Sequence, residues 1–99
     1  VDKVTNMKGM FAWARAFDQA IGEWQVGQVT DMSWMFCGAR SFNQPIGQWR
    51  VEKVTDMSRM FKHATAFNQP IGEWKVDRNA NMAEMFEDAT AYTHSKPGH

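Results

Sequence analysis

The sequence predicts an α/β fold: a short right-handed solenoid of about four 25-residue strand-turn-helix repeats, with a parallel sheet on the inner side and helices on the outer side. Three observations carry this expectation. Residues 29–53 and 54–78 are identical at 16 of 25 positions. Residues 4–28 follow the same frame, and residues 79–99 keep it as far as Tyr92, so the last repeat is incomplete. Within each repeat an apolar stripe at helical spacing precedes a short alternating stretch. At 99 residues the chain has the size of one domain, and 1–99 reads as a single repeat array.

The helix comes first in each repeat. Met32, Met35, Phe36, Ala39 and Phe42 fall on one face of a 3.6-residue period, and Met57, Met60, Phe61, Ala64 and Phe67 repeat the stripe. Asn6, Asp31, Asp56 and Asn81 stand immediately before it, residue types whose side chains accept hydrogen bonds from the free amides of a helix start. The turn follows. Pro45 cannot continue a helix, and Gly22, Gly47 and Gly72 allow a reversed backbone. Asn43 and Asn68 are expected to tie down their own turn. Then Trp24 and Val26 share one parity, as do Trp49 with Val51 and Trp74 with Val76, which is the pattern of a half-buried strand. Strands of one polarity must pair parallel, with the helices as return path. Strands stack at about 4.8 Å and helices at roughly 8–10 Å, so the helix side should fan outward and leave the sheet inside the curve.

Composition excludes several roles. With 11 basic and 11 acidic residues the formal charge is zero, so no net field draws the chain to nucleic acid. No apolar run is long enough for a membrane span. Cys37 is the only cysteine, which rules out an internal disulfide; its position on the helix wheel points outward, open to a disulfide-linked dimer. His63, His94 and His99 share no metal-ligand spacing, and the last two fall in a tail expected to be mobile. No catalytic set, cofactor motif or metal site can be assembled from spacing, so the chain reads as no enzyme.

The combination of MSxMF, FNQPIG and WxV at this period resembles the repeat of bacterial surface proteins known as the DUF285 or mycoplasma lipoprotein repeat, a relative of leucine-rich repeats. The resemblance covers essentially residues 1–92. It implies a non-catalytic module displayed on cells or secreted, in arrays of variable length, for adhesion or recognition. It brings no catalytic residues with it.

Candidate binding positions lie where the repeats vary or face solvent. The outward columns of the predicted sheet are Glu23, Gln48 and Glu73 beside Gln25, Arg50 and Lys75. Trp34 falls opposite the apolar stripe, where the other repeats carry Gly9, Arg59 and Glu84, and is a candidate contact. The partner expected is an unidentified protein or glycan. A passive structural spacer is one alternative, and a carbohydrate-binding platform built from Trp24, Trp49 and Trp74 is another; shared parity with Val26, Val51 and Val76 places those indoles in the core instead. Exposed layer faces at the ends of the array, with Val1 to Val4 and Trp74 to Val76 as seams, predict self-association.

Overall fold

The computed structural model describes residues 3–98. The chain winds through stacked coils, yet among the described residues no helix forms, and the β-type pairing is one column of isolated parallel bridges, Asn6–Asp31, Asp31–Asp56 and Asp56–Asn81. The expected α/β solenoid of outer helices and inner parallel sheet is therefore overturned. The seam at Val1 falls partly outside the described residues.

The backbone hydrogen bonds explain why the predicted helix does not form. A helix would send every amide to the carbonyl four residues back. Here alternate amides leave the coil: Met32, Trp34, Phe36 and Gly38 donate to the carbonyls of Asp56, Ser58, Met60 and Lys62 in the next coil, at 2.8–3.0 Å. The amides between them close four-residue β-turns, Met35 to Met32, Cys37 to Trp34 and Ala39 to Phe36. Met7 to Trp13 and Met57 to His63 follow the same pattern. The result is a ribbon of consecutive turns in which every second donor belongs to a neighbour. Such a ribbon needs left-handed residues at the third place of alternate turns. Gly9, Trp34, Arg59 and Glu84 form one column with φ of 56–64°, and Trp13, Gly38, His63 and Asp88 form a second with φ of 59–70°. Each non-glycine residue there carries about 1–2 kcal/mol of strain, so the inter-coil bonds and packing hold a backbone the local sequence does not favour.

Asn6, Asp31, Asp56 and Asn81 do what a helix cap does, although no helix follows. Their side-chain oxygens accept the amides of Lys8, Ser33, Ser58 and Ala83 at 2.9–3.0 Å. The predicted strand is also replaced. Trp24, Trp49 and Trp74 donate their amides within the coil, to Ile21, Ile46 and Ile71. The link between coils is made there by side chains: Trp49 Nε1 donates to the Ile21 carbonyl and Trp74 Nε1 to the Ile46 carbonyl, both at 3.1 Å. Without helices nothing forces one side to fan, so the inner-curve argument lapses. The shortest extent of the molecule, 19 Å, fits layers spaced about 4.8 Å apart.

The apolar columns do line one interior. Phe11, Phe36, Phe61 and Phe86 stack at 5.5–5.7 Å, and Phe17, Phe42, Phe67 and Tyr92 at 5.8–6.0 Å. Within each coil the two columns touch, as Phe36 and Phe42 do at 4.2 Å. Met32, Met35, Met57 and Met60 fill the space beside them and are fully buried. Each stacked ring pair adds about 0.5–1.5 kcal/mol beyond its burial. The C-terminal segment is not the loose tail the sequence predicted. Thr93 donates its amide to Asn68 Oδ1 at 2.9 Å, Pro97 is buried, and Lys96 lies over the Phe86 ring at 5.8 Å.

Candidate functional site

The FNQPIG turn builds a groove. Its Asn side chain reaches the following coil and its Gln side chain the preceding one, where the sequence predicted bonds within their own turn: Asn43 Oδ1 accepts the Asn68 amide at 2.9 Å, and Gln69 Nε2 donates to both Asn43 Oδ1 and the Asn43 carbonyl at 3.0 Å. Asp18 receives Asn43 and Gln44 in the same way. Stapled like this, the prolines of neighbouring coils approach the glycines closely. A Cβ on Gly47 would lie 2.9 Å from the Pro70 carbonyl oxygen, so this glycine is needed for room between coils and has no positive φ.

The groove formed over these turns has a volume of about 500 Å3. Ala20, Pro45, Pro70, Gly22 and Gly47 line it with apolar and backbone surface, and Glu23, Gln48, Gln69 and Glu73 supply its polar groups. It therefore gathers one predicted column, Glu23, Gln48 and Glu73, into a single concave site. An adjoining hollow of about 230 Å3 shares Gly47 and Glu73 and adds Arg50, Glu52 and Lys75, which place both charges side by side. Gln25 is exposed but lines neither hollow.

Trp34 sits elsewhere. It is half-buried, with the Arg59 guanidinium 5.0 Å and the Lys62 ammonium 5.9 Å from its ring centre. Glu84 Oε1 then accepts from Arg59 Nε at 3.1 Å and Lys62 Nζ at 3.0 Å, and Lys62 also reaches Glu87 at 3.5 Å. The hydrogen bond from Lys62 is the main cause that lowers the Glu84 carboxyl from 4.5 to about 2, and the same bond raises the Lys62 ammonium. A face predicted to meet a partner is thus occupied by the protein's own charges. Trp13, 57 % exposed, lies across Gly38 and approaches the His63 ring at 6.2 Å, while His63 Nδ1 pairs with Asp88 Oδ2 at 2.8 Å.

Cys37, read from the helix wheel as outward, is fully buried, because a turn ribbon directs side chains differently from a helix. Burial pushes its thiol up, against the opposing charges of Lys62 and Arg59. Trp49 and Trp74 are 4 % exposed and stacked at 6.3 Å, so they present no sugar platform. Among the described residues no helix is long and apolar enough to cross a membrane, and no group of three or more His, Cys, Asp and Glu converges on a metal position. His94 meets the Asn68 carbonyl at 3.2 Å, and His99 lies outside the described residues. The inter-coil Asn-Gln staple is what sequence reasoning missed; its signal was the unvaried Asn-Gln pair at 43–44 and 68–69.

In-register coils with repeated aromatic columns inside and varied charges outside define a repeat protein. The chain belongs to the family described as "Mycoplasma protein of unknown function, DUF285", whose family model matches residues 1–98 and bears out the resemblance read from the repeat. Searches of the curated proteins and of the solved structures give no match.

Proposed function

We propose that this chain is a non-catalytic recognition module, carried at the cell surface or secreted, that binds a protein partner in the groove over the FNQPIG turns. One observation supports the reading above others: the groove of about 500 Å3 joins a Pro-Gly floor to the Glu23 and Glu73 carboxylates. An extended segment suits a shallow site lined by backbone and proline, and two carboxylates without a cation among the groove residues favour a basic side chain within it. The carbohydrate alternative loses its support with the burial of Trp49 and Trp74.

The test is to pan a displayed library of linear peptides on the chain. Enrichment of peptides with Lys or Arg beside apolar residues, with binding at least about tenfold weaker in Glu23→Lys/Glu73→Lys, supports the module; tenfold corresponds to about 1.4 kcal/mol. If nothing enriches, the spacer reading takes its place.

A further inference from the structure

We propose that the hollow adjoining the groove is the second half of one peptide-binding site and takes a carboxylate side chain, so that the ligand carries a basic and an acidic residue two positions apart. The inference rests on the groove reading above and begins with charges that the fold leaves unpaired. Arg50 and Lys75 hold the same place in neighbouring coils, are both exposed, and both line the hollow of about 230 Å3. Among the described residues neither takes part in an ion pair; the ion pairs join Arg59, Lys62 and His63 to Glu84, Glu87 and Asp88 instead. Like charges one coil apart repel, and an anion between them removes the repulsion. The molecule shows that arrangement elsewhere: one oxygen of Glu84 accepts from Arg59 Nε at 3.1 Å and from Lys62 Nζ at 3.0 Å. Arg50 and Lys75 are a similar pair of cations without the carboxylate.

The charge balance selects a single carboxylate. Glu52 and Glu73 also line the hollow, so a dianion such as phosphate would meet two opposing groups there. Glu73 is shared with the groove, and a basic side chain bound between Glu23 and Glu73 engages it. Arg50 and Lys75 then face Glu52 alone, an excess of one positive charge that one carboxylate matches. Spacing agrees. Gln48, Arg50 and Glu52 are exposed with Trp49 and Val51 buried between them, and Glu73, Lys75 and Asp77 repeat the alternation one coil later. The groove column therefore precedes the cation column by two residues, the period at which an extended peptide presents side chains on one face, roughly 6.5–7 Å apart. The two hollows meet at Gly47 and Glu73, so a peptide laid along the coil crosses from one into the other. Trp49 and Trp74 border the second hollow, but their Nε1 atoms donate to the Ile21 and Ile46 carbonyls, so recognition falls to the charged side chains.

A library of linear peptides displayed through their C-termini, so that every ligand carboxylate belongs to a side chain, is panned in parallel on the wild type and on Arg50→Gln/Lys75→Gln. Both substituted positions are exposed, and near-ultraviolet circular dichroism checks that the variant is folded. The wild-type pool should pair its Lys or Arg with Asp or Glu two places away, and the variant's pool should keep the basic residue and lose the acid. For the peptide most enriched on the wild type, replacing that acid by its amide should weaken binding to the wild type about tenfold. The same replacement should leave binding to the variant unchanged, because its partners are already gone. A wild-type pool with the basic residue but no acid at that spacing overturns the proposal and leaves the groove reading standing. So does an acid whose loss costs as much on the variant as on the wild type. A pool without a basic residue, or no enrichment at all, overturns both.

Discussion

The two inner coils and the two outer coils carry the same motif and live in different surroundings. Phe36 and Phe61 are fully buried, whereas Phe11 and Phe86, at the same position of the repeat, are half-exposed. Ser33 and Ser58 are buried in the inner coils; Lys8 and Ala83 hold that place outside and are exposed. A shared motif with unequal burial teaches that the stabilising contacts run mainly between layers, as expected where no unit can cover its own apolar face.

The strongest way to break that comparison is to truncate matched rings. Phe36→Ala should cost about 3–5 kcal/mol in denaturant unfolding, and Phe11→Ala roughly half as much, since one side of Phe11 has no layer to lose. Equal costs would mean that stability resides within each coil. A second pair separates backbone from packing. Gly9 and Gly38 both have positive φ, at 64° and 70°, but a Cβ on Gly9 meets only Ala12 at 4.0 Å while one on Gly38 falls 2.2 Å from Trp13 Cε3. Gly9→Ala should therefore cost only the left-handed strain, about 1–2 kcal/mol. Gly38→Ala should cost more, and the excess should vanish when Trp13 is also replaced by Ala in a double-mutant cycle.

The smallest effect concerns charge on the last coil. Glu84 titrates near 2 in the folded chain against 4.5 ordinarily, so its contribution is present above about 4.5 and is lost as pH falls through about 2. Thermal melts taken downward through the carboxylate range should show the wild type losing Tm that Glu84→Gln does not lose. Parallel curves for the two proteins would remove the Arg59–Lys62–Glu84 cluster from the list of things that hold the fourth coil.

The period and the core were legible in the sequence, and the elements were not. Met35, Phe36, Ala39 and Phe42 share a face in a helix, and they also share one in a chain of four-residue turns, so the stripe could not distinguish the two. What decides is where the alternate amides of Trp34, Phe36 and Gly38 go, and that depends on a neighbour 24 residues away. Trp49 misled in a similar way: its parity with Val51 marked the buried side correctly, but its indole, not a strand ladder, makes the link between coils. Of the binding positions, Glu23, Gln48 and Glu73 came together because one repeat position generates one column. Trp34 did not join them, since the Arg59 and Lys62 that cover it stand one coil later and only stacking brings them near.

The forward-donating amides have a consequence for how such a chain can change in length. Donor and turn-former alternate along the ribbon, so removing a single residue from one ribbon would exchange their roles beyond the deletion and misalign the bonds from there to the neighbouring coils. Adding or deleting a whole winding leaves each remaining bond as it was. Growth is thereby quantised: the molecule can be lengthened or shortened by duplication of complete motifs, and drift by one residue is filtered out at the level of folding.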